Sequence, residues 1–267
     1  MADPGLQLLG EERQIDYEIL TRTALKLGRA ISEAGAETYR TEETVRRFLL
    51  AAGMEEAEVF AVPTFLELSF TAPDGRNYGR SARLRGGNKE LDRLDLLNDL
   101  ARRYAAQPFP LDDFRAELDA ILNTPRYGPV LRSLAGSIGG ATFACMLRAP
   151  VAQALLAIPI CLVMYLLIYP LRRLSSNHIF NNLLGSACIM AGALSCQVLG
   201  LLAPSSLPPV TIGCLMNLVP GLTLTNGIRD LIASDYVAGV SNLSEAFLTA
   251  TCLALGSGAV LALSRLF

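Results

Sequence analysis

The sequence predicts an α-helical multi-pass membrane domain of five spans, the fourth broken at a Pro-Gly pair, preceded by a cytoplasmic α+β domain. Three observations predict it. Charge is split by position: residues 1–128 carry 17 Lys and Arg against 22 Asp and Glu, whereas residues 129–267 carry only six Arg and three acids. The whole chain is 51% hydrophobic and 18% charged, with a mean hydropathy of +0.36. That is too apolar for an ordinary soluble domain and too charged for a chain wholly within lipid. Five apolar stretches then follow one another after residue 129, each to be set against the ~20 residues that cross a bilayer. The expected domains are therefore 1–128 and 129–267.

In the first domain, Ile15, Ile19, Leu20, Leu27 and Ile31 recur near helical spacing and predict a helix over residues 12–34. Gly35-Ala36 interrupts it. A second amphipathic helix is expected over 37–52, with Val45, Phe48, Leu49 and Ala52 on one face and Gly53 as its stop. Glu42–Arg46 and Glu43–Arg47 support it as Glu-first pairs four apart. Extended runs follow at 57–62 and 64–71, then the turn Ala72-Pro73-Asp74-Gly75, then a third strand at 77–84. Leu91, Leu94, Leu97 and Leu100 mark a helix over about 88–105, and 111–122 a last short one before Pro125. The candidate site here is Gly35-Ala36-Glu37-Thr38-Tyr39-Arg40-Thr41-Glu42, in which Glu37, Tyr39, Arg40 and Glu42 stand at a helix junction. Two readings stay open: a site for a small zwitterion or a docking face for the membrane half, and a capped helix start with solvated charges.

In the second domain the expected spans are 130–147, 149–171, 179–202, 210–228 and 237–266. Arg132 near the start of the first can snorkel. Gly136 and Gly140 form a face for close helix packing, and Pro159 predicts a kink in the second span. Gly256 and Gly258 suggest further close contacts, within the chain or between chains of an oligomer. Arg172-Arg173 and Arg229 place the 172–178 and 229–236 loops, and with them residues 1–128, on the cytoplasmic side. Glu245 is the single acid inside an expected span. It is either a proton-coupling carboxyl or a structural one that reaches water or pairs with Arg229.

The fourth span holds the stretch Asn217-Leu218-Val219-Pro220-Gly221-Leu222-Thr223-Leu224-Thr225-Asn226-Gly227-Ile228-Arg229-Asp230. Pro220 removes a backbone donor, and Gly221 loosens the chain further. In hydrocarbon an open backbone group must be satisfied by protein or a wet cavity. A polar break of this kind is where discontinuous membrane helices bind solutes. A Pro-kinked helix that only packs is the plainer alternative. On the first reading Asn217, Pro220, Gly221, Thr223, Thr225 and Asn226 form a substrate site, and Arg229, Asp230 and Glu245 gate or couple it.

Several classes are excluded. The acidic first half gives no case for nucleic-acid binding. All six cysteines (145, 161, 188, 196, 214, 252) lie in the apolar half without a CxxC pair, and the one histidine is His178. No catalytic set, metal site or cofactor is expected, which also leaves an intramembrane hydrolase without a nucleophile and base. The N-terminus lacks the basic-then-apolar pattern of an export signal.

Two stretches together resemble one family. Gly35-Ala36-Glu37-Thr38-Tyr39-Arg40-Thr41-Glu42-Glu43-Thr44-Val45-Arg46-Arg47 and Leu218-Val219-Pro220-Gly221-Leu222-Thr223-Leu224-Thr225-Asn226-Gly227-Ile228-Arg229-Asp230 are similar to the threonine/serine exporter (ThrE) family, and within it to the YjjP-like large subunits. The likeness in layout runs from about residue 15 to 265. It implies a multi-pass protein of the bacterial inner membrane, a secondary exporter of threonine- or serine-like amino acids or of a dicarboxylate such as succinate. It also implies a separate small membrane subunit as partner, since full-length members carry a second membrane domain. The alternative is a membrane-anchored metabolite sensor or assembly subunit with no transport of its own.

Overall fold

Asp16 opens the first element of the computed structural model, which describes residues 16–84, 89–125, 127–174 and 178–266. Its side chain accepts hydrogen bonds from the backbone N–H groups of Glu18 and Ile19, and helix α1 (Tyr17–Ala34) follows. Residues 12–15 of the expected first helix, residue 88 of the third, the loop tip 175–177 and Phe267 lie outside the described residues. Gly35 ends α1 at φ 106°, a left-handed backbone that side chains disfavour. Next come α2 (Thr38–Ala51), β1 (Glu55–Val62), β2 (Phe65–Thr71), β3 (Asn77–Arg83), α3 (Leu91–Ala106) and α4 (Leu111–Asn123). The strands form an antiparallel meander in the order β1-β2-β3. Pro63-Thr64 turns the first hairpin, and an extra residue at Glu56, with φ 46°, bulges β1 where Glu55 pairs Thr71 and Glu58 pairs Ser69. Leu66, Leu68 and Phe70 alternate into the buried face of β2.

By its contacts the chain divides into two compact units. The first joins Met1–Thr124 to a late segment, Asn226–Ser241. Its core gathers Leu20, Leu27 and Ile31 of α1, Phe48 and Leu49 of α2, Leu97 and Leu100 of α3 and Leu118 of α4. Phe48, Tyr104, Phe109 and Phe114 close it as an aromatic cluster with centroids 4.6 to 6.1 Å apart. Gly28 lets α1 approach: a Cβ there would lie 2.7 Å from Leu66 and 2.8 Å from Val45.

The second unit, Pro125–Thr225 with Asn242–Phe267, is helical among its described residues. It contains α5 (Pro129–Met146), α6 (Val151–Ala154), α7 (Ala157–Leu174), α8 (His178–Val198), a 3-10 turn at Pro204–Ser206, and α9 (Leu207–Leu215). Helices α10 (Gly221–Ile232) and α11 (Tyr236–Leu263) contribute residues to both units. Pro159 acts one turn ahead of itself. It offers no N–H to Leu155, and the helix is interrupted at Leu155–Leu156, where Ile158 bonds Leu155 in a tighter turn. Gly213 brings α9 onto α5, since a Cβ there would stand 2.6 Å from the Gly140 carbonyl oxygen and 2.7 Å from the Ala144 nitrogen. Gly256 sits equally close to Leu183 and Ser186 of α8, whereas Gly258 faces open space.

Among the described residues three helical segments are long and apolar enough to cross a membrane: Val151–Leu171, Ile179–Val198 and Tyr236–Leu263. Five were expected. The two others are α5, whose 18 residues include Arg132, three glycines and two serines, and the pair α9 and α10. The latter count nine and 12 residues, each short of a crossing by itself. Large apolar side chains stand exposed along these helices, with Leu166 at 76%, Val198 at 87% and Phe247 at 72%. Such exposure is costly in water and favourable in hydrocarbon. The chain is a membrane protein.

Candidate functional site

The two stretches singled out in the sequence, 35–42 and 226–230, meet inside the first unit. Helix α10 was expected to end at Ile228, with Arg229 and Asp230 in the following loop. It continues to Ile232 instead. The reason lies in its periodicity: Thr223, Asn226, Gly227 and Asp230 are buried at steps of three and four, one helical face. Arg229 and Asp230 are therefore held on a helix.

Four contacts join the stretches. The Asn226 amide donates to the Gly35 carbonyl at 3.0 Å. Asp230, fully buried, accepts from the Thr38 backbone N–H at 3.1 Å and from the Thr38 hydroxyl at 3.3 Å. Arg229 forms an ion pair with Glu37. Arg40 lies 3.6 Å from the other Glu37 oxygen. The arrangement inverts the usual cap of a helix. Glu37 occupies the N-cap position of α2 with an extended backbone, yet its side chain makes no capping bond. Its carboxylate turns to Arg229, and Asp230 supplies the acceptor for the first turn of α2 from 192 residues away. The partial positive charge at that helix start favours the Asp230 carboxylate as well.

Burial pushes the Glu37 carboxyl up, but its own backbone N–H, Arg229 and Arg40 outweigh this and hold it below the ordinary value of 4.5. Glu42 behaves in the opposite way. Burial raises its carboxyl, the Ala61 N–H at 2.7 Å works against the rise, and Asp235 and Asp230 add to it. Glu42 thus ties the edge strand β1 to α2 and faces two further acids. Tyr39, half-buried, accepts from the Arg40 guanidinium at 3.4 Å.

The other expected residues lie elsewhere. Asn217 belongs to the second unit, between the end of α9 and the start of α10. Its amide donates to the Cys214 carbonyl at 3.1 Å and touches the Cys161 sulfur at 3.6 Å, while its oxygen accepts from Tyr165 at 3.4 Å. Pro220 accepts from the Leu224 N–H, and Gly221 starts α10 with its N–H on Val219. Thr223 is buried, and the Thr225 hydroxyl bonds back to the Gly221 carbonyl at 2.9 Å. Glu245 stands exposed on α11, and Arg229, its suggested partner, is taken by Glu37.

Thr38 lies inside the candidate stretch 35–42, but its bonds to Asp230 were not anticipated, and neither were the contacts of Tyr165 and Cys161 with Asn217. Tyr165 and Cys161 recur four apart on a strongly apolar helix, a polar stripe that helical spacing makes visible. Among the described residues no three His, Cys, Asp or Glu are grouped to hold a metal ion.

A family model, ThrE, described as putative threonine/serine exporter, matches residues 22–264. No curated protein and no solved structure matches the chain.

Proposed function

The chain belongs to the threonine/serine exporter family, and on that premise we propose that it is one subunit of a secondary-active exporter of small polar metabolites. It works in the bacterial inner membrane beside a second, small membrane subunit, with residues 1–128 on the cytoplasmic side. The substrates are threonine- or serine-like amino acids or a dicarboxylate. In this reading α5 and the α9–α10 pair join the three long apolar segments as membrane elements. The backbone opened at Pro220-Gly221 presents the start of α10, with Asn217, Thr223 and Thr225 beside it, to the solute.

The observation that carries the reading is the joint between 35–42 and 226–230. Four contacts tie the far end of the broken segment to the α2 start, so a solute that moves α10 has to work against them. Arg229, Asp230 and Asn226 thereby act as a gate. Its ion pair is modest, because Arg229 keeps 55% of its side chain exposed; such pairs contribute about 0–1 kcal/mol. A gate needs to be weak enough to open.

The test is flux of labelled threonine, serine and succinate in proteoliposomes under a pH gradient, with this chain alone and with a candidate small subunit. Flux only with the partner is the expected result, and the preferred label identifies the substrate. Absence of flux in both preparations of folded protein would move the assignment to a membrane-anchored sensor.

A further inference from the structure

Helices α1 and α4 of the first unit leave a cleft of about 270 Å³ between them. Helix α1 lines it with Ile19, Arg22, Thr23 and Lys26, which recur at steps of three and four and so share one face. Helix α4 lines it with Arg115, Leu118 and Asp119, spaced in the same way. Thr23 and Leu118 are buried at its floor, and the Thr23 hydroxyl donates to the Ile19 carbonyl at 2.8 Å. The charged side chains stand exposed or half-buried around that floor, three cations to one acid. The ratio runs against its surroundings, since residues 1–128 carry 17 Lys and Arg against 22 Asp and Glu. None of the lining residues belongs to the stretches 35–42 and 226–230.

The ion pairs around the cleft leave its charge unbalanced. Arg22 is held by Glu18 one turn earlier on α1, and Arg115 by Asp112 at 3.1 Å on α4. Neither acid lines the cleft, and each pair leaves its guanidinium further N–H donors. Lys26 pairs with Asp119 from the opposite helix, so this one carboxylate stands where an anion would be drawn. We propose that the cleft binds a small soluble dianion, a dicarboxylate or a phosphate. Arg22 and Arg115 take its oxygens from the two helices, and Lys26, drawn off Asp119, makes the third contact. Guanidinium N–H groups project as a fork that matches carboxylate and phosphate oxygens, and a cleft dominated by one sign of charge concentrates its field on a ligand. A zwitterion gains less, because its ammonium meets the same three cations. The volume suits a small metabolite and falls below that of sites for drug-sized ligands. A ligand held from both helices ties α4 to α1 and stabilises the unit by mass action. The inference goes beyond the transport reading and does not depend on it.

The experiment titrates the purified full chain in detergent with succinate, inorganic phosphate and L-threonine by calorimetry, at low salt and again with sodium chloride added. The expected results are saturable binding of succinate or phosphate, weaker binding of threonine, and affinity that falls as salt is added. The tighter of the two dianions identifies the source of the ligand. Arg22→Gln and Arg115→Gln should each weaken binding about three- to tenfold, the effect of losing one partly exposed charged contact. Arg102→Gln removes a similar exposed pair, with Asp99 on α3, and should leave binding unchanged. Asp119→Asn supplies a readout that a merely structural ion pair would not move: it breaks the Lys26 pair, removes the competing carboxylate, and should tighten dianion binding. No binding of either dianion at low salt would overturn the site. So would full affinity in the double variant of Arg22→Gln with Arg115→Gln, which would put the ligand elsewhere in the chain. Threonine binding as tight as that of the dianions would overturn the selection by charge, and weaker dianion binding in Asp119→Asn would overturn the competition. Because calorimetry needs no flux, the site stands or falls apart from the exporter assignment, which the proteoliposome assay tests.

Discussion

Asp230 is the residue on which the first unit's joint turns. It serves α2 as a cap from outside the helix, so its loss should resemble loss of a local N-cap. Asp230→Ala is expected to destabilise the joint by about 1 kcal/mol, the usual effect of removing such an acceptor. Asp230→Asn should recover part of this through its remaining oxygen, and hydrogen exchange at the first turn of α2 reads both. Glu42 and Glu37 titrate in opposite senses. The Glu42 carboxyl is raised, so the folded state binds its proton more tightly and stability is gained as pH falls through that raised value toward 4.5. Glu37 is lowered, so its contribution is present above 4.5 and is lost as pH falls through its depressed value. Stability of the first unit should therefore rise on mild acidification and fall at lower pH. Glu42→Gln keeps an acceptor for the Ala61 N–H and removes the charge facing Asp230 and Asp235. It should abolish the rise and leave the fall, as followed by thermal unfolding across pH.

Elements show which parts of the fold local pattern can reveal. The order of helices and strands through residue 124 was legible, because Leu91, Leu94, Leu97 and Leu100 repeat at helical steps and Thr64–Thr71 alternates. The break at Pro220-Gly221 was legible as well, because proline's missing N–H acts wherever it stands. The extension of α10 past Ile228 was not, since Arg229 and Asp230 read as solvated loop charges until Glu37 and Thr38 are seen opposite them. A pairing across 192 residues leaves no trace in local periodicity. The same holds for Gly213. As a glycine among apolar residues it carried no signal, yet the Gly140 and Ala144 backbones lie against it. Gly213→Ala forces a Cβ into backbone rather than into a movable side chain. An overpacked contact of this sort costs about 1–3 kcal/mol. A lowered melting temperature in detergent is the expected result, while Gly258→Ala, in open space, should melt as the natural sequence does.

For the molecule as a whole, the chain is a membrane protein of the threonine/serine exporter family, and by its contacts it divides into two compact units. What composition could not foretell is that the first unit takes in Asn226–Ser241. A segment reached only after the apolar helices α5 to α9 completes the fold of the N-terminal residues. That return is the physical basis for treating residues 35–42 and 226–230 as one device and not as two sites. The most direct test of this claim is a double-mutant cycle on threonine efflux from proteoliposomes holding the chain and a candidate small membrane subunit, with Glu37→Gln, Arg229→Gln and the pair combined. If the two residues act as one gate, each single change alters the efflux rate and the double variant departs no further than the stronger single. Effects that multiply, or a natural rate in all three variants, would contradict the account.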